Sequence, residues 1–123
     1  MKFTLDTLAA AYVIRSYGPS QVVVNHQRYT STLVVMPEVL ITDWSPQQIE
    51  DFTTTHFEDL AQYPLDVVLL GTGGQLRFPP RALFSPLESR SIGVEVMNTG
   101  AACRTYNLLI SEKRQVAAIL LMI

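Results

Sequence analysis

Ile92-Gly93-Val94-Glu95-Val96-Met97-Asn98-Thr99-Gly100-Ala101-Ala102-Cys103-Arg104-Thr105-Tyr106-Asn107 changes period in its middle. Ile92 to Val96 reads as an apolar strand, and Asn98 or Thr99 supplies the side-chain oxygen that a helix N-terminus needs. A helix is expected from Gly100 to about Glu112, and Val116 to Leu121 is an unbroken apolar strand. Upstream, Asp66-Val67-Val68-Leu69-Leu70 is another strand and runs into Gly71-Thr72-Gly73-Gly74. Pro79-Pro80-Arg81-Ala82-Leu83 starts a short helix reaching toward Arg90. Unbroken apolar strands separated by helices indicate a sheet covered on both faces. Right-handed crossovers then bring the loops after residues 70 and 96 to the same edge of that sheet.

The N-terminal third is strand-like. Tyr12 to Tyr17 alternates and ends at Gly18-Pro19, and Val22 to Val24 with Gln27 to Tyr29 forms a hairpin across Asn25-His26. Asn tolerates the positive φ of a tight turn. Ser31 to Met36 and Val39 to Thr42 make a second pair around Pro37-Glu38. Ser45-Pro46-Gln47-Gln48 then carries the signature of a helix start, with a serine cap and a proline at the first helical position. Ile49, Phe52, His56 or Phe57, and Leu60 follow at helical spacing until Pro64, while Glu50, Asp51, Glu58 and Asp59 fill the other face.

The chain has 123 residues, 48% apolar and 16% charged, which suits one domain over residues 1–123. A single cysteine, Cys103, excludes an internal disulfide and fits a reducing compartment. His26 and His56 lie far apart, so no metal site is expected. The net charge of −2 argues against nucleic acid as a partner. It is unevenly spread: residues 1–70 carry three basic against eight acidic side chains, and residues 71–123 six against three. Met1-Lys2-Phe3-Thr4-Leu5-Asp6 puts a carboxylate where a signal peptide needs an apolar run. The apolar run Val116 to Ile123 is well short of the about 20 residues that span a bilayer. A cytoplasmic protein with no membrane span is expected.

Leu69-Leu70-Gly71-Thr72-Gly73 with Phe78-Pro79-Pro80, together with the long stretch from Ile92 to Asn107, resembles a small family of unknown function. That family is shared by bacterial and archaeal proteins, the mitochondrial complex I assembly factor three and an adipogenesis-associated vertebrate protein. The resemblance covers about residues 18–121. It implies an α/β, three-layer domain around a central mixed five-stranded sheet, one strand antiparallel to the rest, with helices packed on it and an extra β-hairpin layer. It also implies an assembly role through contacts with protein partners. This chain departs from the pattern at Asn25-His26, where Asn-Gly is common, and at Asn98, where an acid is common.

Two readings attach to each candidate residue. Gly71-Thr72-Gly73-Gly74 either forms a turn that needs positive φ, the preferred reading, or an anion nest of backbone N–H groups. It lacks the Gly-Lys-Ser/Thr of a Walker loop and the third glycine of a dinucleotide fingerprint. Glu95, in an apolar strand with Gly93 and Met97 on its face, calls for an ion pair with Arg104; the alternative is a general base. Cys103 lies in the first turn of a helix, where thiolate is favoured, but also in the small-residue seam Ala101-Ala102-Cys103, which favours burial. Cys103, Tyr106 and Ile110 share a face, and Asn107 is placed to bond backbone at a strand end. Arg77, Arg81 and Arg90 flank the glycine loop and could gather an anion or an acidic partner. The expectation is a non-enzymatic binding or assembly protein without a cofactor. Its client would be met by Gly71, Thr72, Gly73, Gly74, Arg77, Arg81, Met97, Asn98, Thr99 and Arg104. The alternative is a small-molecule or anion site, or a thiol-dependent enzyme using Cys103 with Glu95.

Overall fold

The structure, a computed structural model, describes residues 11–123; the reading of Met1 to Asp6 lies outside them. Three strands, β1 (Ile14–Gly18), β2 (Gln21–Val24) and β3 (Gln27–Tyr29), form an antiparallel sheet. The expected two-residue turn joins β2 to β3: Val24 faces Gln27, and Asn25 takes φ 52°. The remaining strands are β4 (Leu33–Val35), β5 (Leu40–Ile41), β6 (Val67–Gly71), β7 (Gly93–Met97) and β8 (Val116–Leu120). They make a five-stranded sheet in the order β5-β4-β8-β6-β7. β8, β6 and β7 run parallel, β4 is antiparallel to β8, and β5 is antiparallel to β4. One strand, β4, therefore opposes the other four, as expected.

Strand alternation divides the interior between the two faces of this sheet. Val68, Leu70, Ala117 and Ile119 point into one core with Phe57, Leu60, Phe84 and Leu87. Val67, Leu69, Ala118 and Leu120 point into the other, with Ile14, Val22, Val24, Ala102, Cys103 and Tyr106. All five residues of β6 and of β8 are buried, which explains why both read as continuous apolar runs. The helices are α1 (Thr54–Leu60), α2 (Ser85–Glu88, preceded by a 3-10 turn at Arg81–Phe84) and α3 (Thr99–Ser111). α1 and α2 cover the first face, and α3 with the three-stranded sheet covers the second. That is the three-layer α/β arrangement.

The helix expected from Ser45 is broken. A 3-10 turn at Ile49–Asp51 ends at Phe52, whose backbone is extended, and α1 begins afresh after Thr53. The reason lies in Thr53-Thr54-Thr55: β-branched side chains weaken a helix interior, and Thr favours a cap. The His56 Nδ1 atom accepts the Thr53 N–H at 3.0 Å, which sets the new start. Ser45 caps nothing; its hydroxyl lies 3.1 Å from His56 Nε2. Trp44, Phe52 and His56 meet edge to face, and Phe57 stands edge-on to Phe84, so the acidic helix is anchored by aromatic packing.

Gly71, at the end of β6, explains how α3 packs so closely on the sheet. A Cβ there would lie 3.0 Å from Thr99 Cα and 3.1 Å from Ala102 Cβ. Backbone is the obstacle, so it cannot swing aside. Gly71→Ala is expected to cost ~1–3 kcal/mol, the range for overpacking a filled site. Gly93→Ala, where the nearest atom would be 3.7 Å away, should cost much less. Urea unfolding of the two variants checks this, and equal midpoints would refute the close-approach explanation.

Candidate functional site

The parallel pairing of β6 with β7 sets Gly71 beside Met97, so the two following loops emerge together. Thr99 joins them. Its hydroxyl donates to the Leu121 carbonyl at 2.6 Å and accepts the Gly73 N–H at 2.8 Å, and its own N–H donates to the Gly73 carbonyl at 2.9 Å. Thr72 closes the other side: its N–H donates to Met97 O at 2.9 Å, while its hydroxyl donates to Gln75 O at 2.6 Å and accepts the Arg77 N–H at 3.1 Å. Gly73 carries φ 92°, the positive angle expected of this turn, whereas Gly71 is set by close approach. The Thr72 and Gly73 N–H groups point inward to protein oxygens, so they form no open anion nest; Gly74 is exposed.

Asn98 is the N-cap of α3, its Oδ1 accepting the Ala101 N–H at 2.8 Å. Tyr17 from β1 lies over the first turn, where a Cβ on Gly100 would come within 2.8 Å of its ring. Arg104 donates a hydrogen bond to the Tyr17 hydroxyl and sits 5.9 Å from the ring centroid. The expected Glu95–Arg104 ion pair is therefore not formed. β7 is an edge strand, Glu95 is exposed on it, and its carboxylate needs no buried partner.

The arginines also diverge. Arg77 pairs with Glu50 and holds its carboxyl below the usual carboxylate range, chiefly through that hydrogen bond. Arg81 lies 3.5 Å from Glu88, and Arg90 donates to the Ala61 carbonyl at 2.9 Å. They do not converge on a shared anion position.

Cys103 is 1% exposed in the core between α3 and the sheet. Burial pushes its thiol up to about 12, against the opposing pull of Arg104. Asn107 on the same helix grips β1: its Oδ1 accepts the Ile14 N–H at 3.0 Å and its amide donates to the Ile14 carbonyl at 2.7 Å. Among the described residues, no group of three or more His, Cys, Asp or Glu is placed to hold a metal.

Two features escaped the sequence reading. Leu76 and Phe78 stand out from the loop, 51% and 72% exposed, on either side of Arg77. The signal was available, since large apolar residues between Gly73-Gly74 and Pro79-Pro80 belong to no periodic element. Beside Phe78 an open groove of about 360 Å³ at the start of β7 is lined by Phe78, Pro79, Phe84, Ile92 and Val94 together with the Arg81–Glu88 pair. Its lining comes from residues 78–94, but from a loop, a 3-10 turn, a short helix and a strand whose mutual placement no single periodicity reveals.

A thiol held near 12 is almost wholly protonated at neutral pH, and thiolate is the reactive form. Cys103 should therefore be alkylated by iodoacetamide at pH 8 at under about one hundredth of the rate in denaturant, by mass-spectrometric time course. Comparable rates would restore it as a nucleophile.

Known proteins resemble this chain over most of its length. A zebrafish protein, NADH dehydrogenase (ubiquinone) 1 alpha subcomplex assembly factor 3, is 31% identical over 115 residues, 92% of this chain and 66% of that protein. The chain thus spans a little under two thirds of that relative. A Francisella tularensis protein named 13 kDa major membrane protein is 24% identical over 117 residues, covering 94% and 95% of the two chains. Among the described residues, no helix is long and apolar enough to cross a membrane. The crystal structure of a Bordetella parapertussis protein superposes with a TM-score of 0.85 at 33% identity, covering 91% of this chain and 96% of that one. Residues 14–121 match the family described as "Protein of unknown function (DUF498/DUF598)", and by that match the chain belongs to this family.

Proposed function

We propose that this protein is a non-enzymatic assembly factor that holds a protein client on the surface formed by the 71–80 and 97–104 loops. The observation that carries the reading is the exposure of Leu76 and Phe78 on a loop stiffened by Thr72 and Thr99. Exposed apolar side chains on a rigid support suit protein contact, because little conformational entropy is lost on binding. Arg81 and Asn98, both exposed, are suited to a polar rim. The relatives named complex I assembly factor 3 support the same direction, and a client within a respiratory-type complex belongs to this proposal. So does a cytoplasmic location, with any membrane association arising through the client. The alternative thiol-dependent enzyme is disfavoured by the burial of Cys103 and the exposure of Glu95 on the edge strand.

Leu76→Ser with Phe78→Ser tests the reading by tagged capture from the native cell and quantitative mass spectrometry. Client recovery should fall about tenfold or more, the scale of losing an interface anchor. The melting temperature should stay within about 2 °C, since both side chains are exposed. Unchanged recovery of every client would refute the loop surface.

A further inference from the structure

We infer that the free edge of β7 takes one extended segment of a protein partner, paired antiparallel, with a basic side chain opposite Glu95 and apolar side chains on either side. This rests on the protein-binding reading above and names the kind of segment bound.

The backbone supplies the first ground. Gly93 N–H bonds the Asp66 carbonyl at 3.0 Å, and the Met97 carbonyl accepts the Thr72 N–H at 2.9 Å. Groups at residues 93, 95 and 97 therefore face β6, and by strand alternation the N–H and C=O of Val94 and Val96 face the other way. Among the described residues no strand lies on that side. The pairs recur about 6.6 Å apart, the repeat an added strand matches. β1 shows the contrast. Its outward-facing Ile14 N–H and C=O are both taken by the Asn107 amide, and β7 has no equivalent among the described residues.

Side chains supply the second. A residue placed opposite Glu95 points to the same face as that exposed carboxylate, and opposed charges across a strand pair attract. Its neighbours, opposite Val94 and Val96, point to the other face. There the groove of about 360 Å³ offers Phe78, Phe84 and Ile92 to an apolar side chain, with the paired Arg81 and Glu88 also lining it. A volume near the lower end of about 300–1,000 Å³ suits a side chain or two better than a large cofactor. A second copy of this chain fits worse: the antiparallel register centred on Glu95 sets two like carboxylates against each other.

The test titrates the ¹⁵N-labelled chain with the blocked peptide Thr-Ile-Lys-Ile-Thr, its central-Glu version, and a version N-methylated at both isoleucines. The expected result is amide shifts centred on Val94 to Val96, a roughly threefold to tenfold preference for Lys over Glu, and loss of binding on N-methylation. Glu95→Lys, at an exposed position, should fold normally and reverse the preference. Shifts centred elsewhere, indifference to N-methylation, or a preference that Glu95→Lys leaves unchanged would overturn the inference. Concentration-dependent dimers with β7–β7 contacts would overturn it in favour of self-pairing. No binding at millimolar peptide also overturns it, while client capture that still depends on Leu76 and Phe78 would leave the wider reading standing.

Discussion

One buried hydroxyl holds the loops after β6 and β7 together. Thr99, fully buried, bridges the Gly73 N–H and the Leu121 carbonyl. It thereby ties the loop after β6 and the end of β8 to the first residue of α3. Where these three elements meet, buried polar groups would otherwise go unpaired, each a cost of about 1–3 kcal/mol. Gly71 permits the approach by lacking a Cβ, and Asn98 completes it by capping the helix that Thr99 begins.

From that bridge the surface properties follow. The Thr72 and Gly73 N–H groups are turned inward to protein oxygens, which stiffens the loop. The large apolar side chains it shows to solvent are Leu76 and Phe78. The strand order leaves β7 at the sheet edge, with Glu95 outward and two backbone pairs unmatched among the described residues. A stiff loop beside an open strand edge is a surface suited to another protein chain, and Cys103 lies beneath it in the core.

Much of the architecture was legible because burial writes itself into local pattern. β6 and β8 are buried on both faces and read as continuous apolar runs; Asn25 and Asn98 announced their turn and cap through side-chain chemistry. Asn107, uncomfortable in mid-helix, signals a side chain bonded to backbone at a strand end, and its partner is Ile14. The errors arose where the answer depends on distant chain. Glu95 looked buried because sheet order is invisible along a strand, and an edge strand with one covered face can still read Val-Glu-Val. Arg104 looked free for Glu95 because Tyr17 is 87 residues away. The apolar spacing after Ser45 continues across the break at Phe52 and Thr53, so periodicity alone hides the new helix start that Thr53 caps. The groove is lined within residues 78–94, but Phe78, Phe84 and Val94 belong to a loop, a 3-10 turn and a strand whose relative placement no periodicity encodes.

The most direct test of this organisation is hydrogen exchange at the Gly73 amide in Thr99→Val, with Thr99→Ser as the control that keeps the hydroxyl. Valine matches the shape and removes both hydrogen bonds. Global stability should fall by ~1–3 kcal/mol, and Gly73 should exchange on the order of tenfold faster or more, while serine retains most of both. If Thr99→Val leaves stability and Gly73 protection unchanged, the hydroxyl does not hold the loops, and the rigid platform for a protein client loses its physical basis.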